Sequence, residues 1–178
     1  MPLTIRQERP KDETEIARLL DAAFQESAVS EFTTRLRASA GYVPELTFVA
    51  EEDGAIVGFA LLTGLDVEGC GRRILNLGPV GVRPDRQRSG VGGALVNAAV
   101  AAADERGEPL VLVEGIPSYY PRFGFRSATA LGLERPDPRI PEAAWLALPL
   151  AAYDASVRGR VVYPDFFPPP PGHAEDSA

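Results

Sequence analysis

Val80-Gly-Val-Arg-Pro-Asp-Arg-Gln-Arg-Ser-Gly-Val-Gly-Gly-Ala-Leu95 is the stretch that decides the fold. Val80 and Val82 close a strand-like run that begins at Ile74. Arg83, Arg86 and Arg88 occupy the loop after it. Gln87-Arg-Ser-Gly90-Val-Gly92-Gly93 then opens a helix whose buried stripe is expected at Val91, Leu95, Ala98, Ala99 and Ala102, with Gly107 as its C-cap glycine. A helix N-terminus exposes unpaired amides and the positive end of the macrodipole. Glycines there let an anion approach the backbone closely, so the segment reads as a pyrophosphate cradle. A Walker loop would end in Gly-Lys-Ser/Thr, and none is present. A dinucleotide fingerprint would place a third glycine where Leu95 stands.

Outward from this segment, the pattern is that of an α/β domain. Leu3 to Arg6 is a short strand. Asp12-Glu-Thr-Glu15 has the form of a capping box, with Asp12 accepting from the amide three residues on and Glu15 reaching back. Ile16, Leu19, Leu20, Ala23 and Phe24 form one helical face, and a second helix is expected over about Ser30 to Arg37. Leu46 to Glu51 and Ala55 to Leu62 are strands joined by Asp53-Gly54, a strong hairpin signal. A Gly-rich connection, Gly64 to Gly71, leads to Ile74–Val82, where Gly78 and Pro79 mark a bulge or an edge. Leu110 to Glu114 is a buried strand, Ser118 to Phe123 one helical turn, and strands follow from Phe125 and over Ala144 to Leu150. Hairpins first and a strand–helix–strand crossover in the middle imply a mixed sheet with helices on both faces. The domain is expected to span residues 1–165. Residues 166–178 are expected to be a disordered, Pro-rich and acidic tail.

Composition removes several function classes. The chain of 178 residues suits one domain, with 45% apolar and 24% charged residues. Its net charge of −7 argues against non-specific binding to nucleic acid or an anionic membrane. No apolar run approaches the roughly 20 residues of a membrane span, and the N-terminus lacks a signal-peptide pattern, so a cytoplasmic location is expected. Cys70, the sole cysteine, has no metal spacing around it, so no metal is expected. His173, the sole histidine, lies in the tail, a poor place to fix the base of a catalytic triad.

Gln87-x-x-Gly90-x-Gly92, after a strand ending Val-x-Val-x-Pro, resembles the coenzyme A loop of GNAT acetyltransferases. Tyr119-Tyr120-Pro-Arg-Phe-Gly-Phe125 resembles the aromatic pair and hydrophobic-Gly-Phe segment that follow it in that family. Leu75 to Val82 and Trp145 to Leu150 look like a small bacterial-type subgroup of it. The similarity covers roughly residues 3 to 165.

The resemblance implies an acetyl-CoA-dependent N-acetyltransferase acting on an amine of a small molecule or peptide. Backbone groups of Val80, Gly81 and Val82 would pair with the pantetheine arm. Gln87, Arg88, Ser89, Gly90, Val91, Gly92 and Gly93 would form the pyrophosphate loop, with Arg86 or Arg88 a contact for the 3′-phosphate. Ser118 and Tyr120 would meet the thiol end, Tyr120 as the acid that protonates the leaving thiolate. Such enzymes often carry a glutamate on the strand that here holds Ile74 to Val82. This strand has Asn76 and no acid, leaving Glu51, Glu52 and Glu114 as candidate bases. Phe24, Phe32, Tyr42 and Trp145 fall where acceptor-pocket residues usually arise. A homodimer is common among such proteins, though no exposed strand or heptad here demands it. The missing strand acid motivates a rival, a coenzyme-A-binding sensor or partner module without turnover. A longer acyl donor is a third reading.

Overall fold

Asp53 and Gly54 both take positive φ, 52° and 79°, as the two central residues of a type I′ turn require. They join β2 (Tyr42–Glu52) to β3 (Ala55–Val67) in antiparallel register, with Val49 opposite Phe59. The computed structural model describes residues 2–169. Met1 and residues 170–178, including His173 and most of the expected tail, lie outside the described residues. The described residues form two compact units: one holds residues 2–64 plus Leu77–Arg106, the other Leu65–Asn76 plus residues 107–169.

In the first unit, β1 (Thr4–Gln7) pairs antiparallel with β2, Ile5 opposite Ala50. Ile56 to Thr63 of β3 are buried without alternation, the signature of a strand covered on both faces. Helix α3 (Val91–Glu105) seats on Gly58, where a Cβ would lie 2.7 Å from both Leu95 Cδ1 and Val91 Cγ1. Its fully buried residues are Val91, Leu95, Val96, Ala99 and Ala103, so the stripe is rotated from the expected Ala98 and Ala102. Helix α1 (Glu13–Phe24) buries Ile16, Leu19 and Leu20, and α2 (Ala28–Arg37) packs beside it. Leu20 of α1 lies over Gly81, near the end of β4 (Arg73–Val82).

The capping box expected at Asp12 runs the other way. A 3₁₀ turn, Pro10–Asp12, precedes α1 and holds Asp12 in a helical conformation (φ −82°, ψ −18°) rather than the extended one an N-cap needs. Asp12 Oδ2 therefore accepts from the Arg9 amide at 2.8 Å and from the Arg6 guanidinium at 2.7 Å. Glu15 instead accepts from the Ile56 amide at 2.9 Å, tying α1 to β3. Arg6 also pairs with Glu51, Nε to Oε2 at 2.8 Å.

The Arg6–Asp12 pair gives a pH test. The Arg6 hydrogen bond holds the Asp12 carboxyl below the usual carboxylate range, with Arg9's amide assisting and burial opposing. A depressed native pKa stabilises the fold above the unfolded value, about 3.9, and that contribution is lost as pH falls through the native value. Asp12→Asn is expected to lower stability by about 1–3 kcal/mol at neutral pH. The gap from the parent should close below about pH 4, measured by thermal melts across pH.

In the second unit, β4 pairs parallel with β5 (Leu110–Glu114), Asn76 beside Leu112. Parallel neighbours require a crossover, and α3 supplies it along the chain. β8 (Trp145–Pro149) lies antiparallel to β5, Trp145 opposite Glu114, and β6 (Arg126–Ser127) pairs with β8. β9 (Gly159–Val162) pairs with the end of β3 and with β7 (Leu133–Glu134). The core gathers Ile74, Leu110, Leu112, Leu133, Trp145 and Val161, and Trp145 Nε1 donates to the Leu133 carbonyl at 2.9 Å. Phe167 packs against this core and against Tyr163, ring centroids 4.4 Å apart. The fold class is mixed α/β: the strand pairs are both parallel and antiparallel, and helices pack on the strands of the first unit.

Candidate active site

In the first unit, the Arg83 amide donates to the Val57 carbonyl at 2.9 Å, which fixes where the loop leaves β4. A 3₁₀ turn, Pro84–Arg86, follows, with proline where no amide partner is needed. Arg88 (φ 59°) and Gly90 (φ 91°) are both left-handed, and Gly90 is the N-cap of α3. The first backbone bond into the helix runs from the Ala94 amide to the Gly90 carbonyl, 3.0 Å. The amides of Val91, Gly92 and Gly93 precede it and have no acceptor within the helix. No acidic residue stands in the first turn of α3, so nothing on the helix counters the positive end of its dipole.

The loop side chains divide in a way that spacing alone did not reveal. Gln87 Nε2 donates to the Val82 carbonyl at 3.1 Å, and Ser89 Oγ to the Arg86 carbonyl at 2.5 Å. Both therefore brace the loop, and the Val82 carbonyl is engaged by Gln87. Arg83 pairs with Asp85 through two bonds of 2.6 and 3.0 Å, and Arg86 with Glu52 at 2.5 Å. Arg88 is exposed and pairs with no carboxylate among the described residues. What the loop offers an anion is backbone N–H, the helix dipole and the Arg88 cation. Val80 is half-buried, and Gly81 is buried beneath Leu20.

In the second unit, Gly115 follows β5, its amide bonded to the Ala144 carbonyl at 3.0 Å. A Cβ on Gly115 would lie 2.3 Å from Tyr120 Cε2, so the Tyr120 ring rests on bare backbone. Tyr120 opens a 3₁₀ turn (Tyr120–Phe123) that Gly124 ends in the left-handed region, φ 95°. The ring is 8% exposed and meets Tyr119 and Phe125 edge-on at 5.2 and 5.5 Å. Burial, with Tyr119 adding to it, pushes the Tyr120 phenol up to about 12. Its hydroxyl makes no hydrogen bond to another described residue. Ser118 is exposed on the same loop.

The three candidate bases have separate fates. Glu51 is paired with Arg6 and Glu52 with Arg86. Glu114 has no cation partner among the described residues and accepts a hydrogen bond from Tyr163 Oη at 3.0 Å. Desolvation raises the Glu114 carboxyl above the usual range, with the Tyr163 bond pulling the other way. Burial first, and Glu114 second, hold the Tyr163 phenol far above the ordinary tyrosine range. Both residues line a cleft of about 390 Å³ with Glu68, Arg139, Arg160 and Phe167. Asn76, on the strand without an acid, is buried, and its Oδ1 accepts no hydrogen bond from the described residues. Trp145, which falls where acceptor-pocket residues arise but alternates with Ala147 in the pattern of a packed face, is sealed in the core at 0% exposure. Tyr163 escaped the sequence reading: Arg-Val-Val-Tyr163 has no motif, and only the β9 pairing brings it to Glu114.

Among the described residues, no group of three His, Cys, Asp or Glu side chains is placed to hold a metal. No described helix is long and apolar enough to cross a membrane. A family model for an acetyltransferase (GNAT) domain matches residues 4–128. The chain is 30% identical over 156 residues to the uncharacterized N-acetyltransferase YjhQ of Escherichia coli K12, covering 84% of this chain and 86% of that protein. It is similar in structure to the GNAT family N-acetyltransferase YhbS of Escherichia coli in complex with CoA: TM-score 0.82, 28% identity, 92% of this chain and 91% of that one. A GNAT family acetyltransferase from Brucella melitensis in complex with acetyl-CoA gives a TM-score of 0.76 at 28% identity, covering 94% and 99%.

Proposed function

The chain belongs to the GNAT acetyltransferase family, and on that premise we propose that it transfers the acetyl group of acetyl-CoA to an amine. The observation that carries the proposal is the loop at the N-terminus of α3: a left-handed Gly90 cap, three amides without a helical acceptor, and no acid in the first turn. That is the electrostatic environment a pyrophosphate needs. Coenzyme complexes of the similar Escherichia coli and Brucella proteins support the same donor here.

In this reading, the amides of Arg88 to Gly93 bind the pyrophosphate, and Arg88 supplies the adjacent cation. Gln87 and Ser89 act through the loop, holding it open by bonding its own carbonyls. Backbone groups of Val80, Gly81 and Val82 take the pantetheine arm, and Ser118 lies toward the thiol end. An amine nitrogen attacks the thioester carbonyl, a C–N bond forms and the C–S bond breaks. Tyr120, kept protonated by its buried site, donates to the departing sulfur.

Isothermal titration of the purified chain with acetyl-CoA tests the donor. Saturable one-to-one binding is expected, with release of coenzyme thiol when a reactive amine is added. Absence of binding at millimolar acetyl-CoA would overturn the proposal. The sensor reading draws on the acid-free β4; it gains if acetyl-CoA binds and no amine is ever acetylated.

A further inference from the structure

The cleft beside Glu114 contains more carboxylate than its arginines neutralise. Arg139 is bonded to Asp137 through Nε at 2.9 Å and Nη2 at 2.5 Å. Arg160 faces Glu134 at 4.0 Å. Glu68 and Glu114 have no cation partner among the described residues. The rest of the wall is apolar: Ile140, Val161, Val162, Pro164 and Phe167. A volume of about 390 Å³ lies in the usual range for a small-molecule pocket, roughly 300–1,000 Å³.

We propose that this cleft receives the acceptor, a primary amine that arrives as a cation on an apolar body of about aromatic size, and that Glu114 takes its proton. The inference rests on the acetyltransferase reading. Of the three acids open to that role, only Glu114 is both without a cation and on a cleft. Tyr163 fixes the carboxyl by donating to Oε2 and leaves the second oxygen for an N–H. Glu114 also directly precedes Gly115, on whose backbone the Tyr120 ring rests, so base and acid candidates flank one glycine.

The proton balance is complete with these groups. An ammonium acceptor loses two protons on becoming an amide. Both leave through Glu114 to water; water returns one to Tyr120, which has given its own to the coenzyme thiolate, and one proton is released net. The C–N bond forms, the C–S bond breaks, and nothing is oxidised or reduced.

The test uses 2-phenylethylamine as acceptor probe and 3-phenylpropanoate as its counterpart of opposite charge, with acetyl-CoA binding measured by calorimetry in every variant. The parent is expected to acetylate 2-phenylethylamine and to be indifferent to 3-phenylpropanoate. Glu114→Gln should lower kcat by about 10²-fold and leave the acetyl-CoA Kd within about twofold. Tyr163→Phe should shift the acidic limb of the kcat/KM profile upward, since removing a hydrogen bond to the carboxylate raises its pKa. Glu68→Gln should raise the KM for the amine with kcat little changed. Full turnover by Glu114→Gln, or a parent that binds acetyl-CoA but leaves 2-phenylethylamine unacetylated or binds 3-phenylpropanoate more tightly than the amine, would overturn this inference while the donor reading stands. A folded parent that binds no acetyl-CoA would instead remove the reading beneath it.

Discussion

Tyr120→Phe is expected to lower kcat by about 10²–10⁴-fold and to leave the acetyl-CoA Kd within about twofold. The substitution removes one oxygen and keeps the ring that packs against Gly115, Tyr119 and Phe125. Stability should therefore be unchanged, and a loss of turnover is attributable to the hydroxyl. The same geometry supplies a second variant. Gly115→Ala puts a methyl group where the Tyr120 ring lies, so the ring must move with its hydroxyl. That variant should also lose turnover, this time with the phenol intact. The pH profile carries a further mark. Burial pushes Tyr120 up to about 12, so the phenol stays protonated through the neutral and mildly alkaline range. No alkaline limb due to Tyr120 should appear below about pH 10, where an ordinary tyrosine would begin to ionise. The raised pKa makes Tyr120 a weaker acid, so its donation should develop late, as negative charge gathers on sulfur. If Tyr120→Phe turns over at the parent rate, Tyr120 is a packing residue and the thiolate takes its proton from water.

The sequence and the structure agree where the local chemistry has one solution. Asp-Gly between two apolar runs has a preferred turn, and Asp53-Gly54 adopts it. Gly90 and Gly107 mark the ends of α3 because left-handed positions favour glycine. The parallel β4–β5 pair follows from a strand, a helix and a strand in succession. Asp12 shows where such reasoning stops. Its spacing to Glu15 fits a capping box, yet the half-buried guanidinium of Arg6 on β1 offers the carboxylate a stronger partner. The arginines of the loop are a second case. Three cations near a pyrophosphate cradle look equivalent in sequence, but Glu52 on the end of β2 engages Arg86 and Asp85 engages Arg83, leaving Arg88. Glu114 and Tyr163 are a third. They lie 49 residues apart, and only the pairing of β9 with β3 and β7 brings them within hydrogen-bonding distance. Local signals specify turns, caps and crossovers; which charge meets which is settled by tertiary pairing that no short window contains.

Gly92→Glu separates binding from stability because it should move them in opposite directions. Residue 92 is the second residue of α3, in a first turn that holds no acid. A carboxylate there interacts favourably with the helix dipole, by about 0.3–1 kcal/mol. Glutamate is also a better helix former than glycine by several tenths of a kcal/mol, roughly. The melting temperature should therefore hold or rise. Binding should suffer, because the same carboxylate stands among the amides assigned to the pyrophosphate. Like charges set against each other in a binding site cost several kcal/mol, so acetyl-CoA affinity should fall by roughly 10²–10³-fold. Gly92→Gln controls for bulk: it is close in size and uncharged, and should weaken binding far less. Raising the salt concentration should narrow the gap between the two variants, since screening weakens repulsion between exposed charges. Calorimetry and thermal melts on the three proteins measure all of this. A stable Gly92→Glu protein that binds acetyl-CoA like the parent would show that the α3 N-terminus does not hold the pyrophosphate. The glycines would then be explained by close packing of α3 on the sheet, as Gly58 already illustrates beneath Leu95 and Val91.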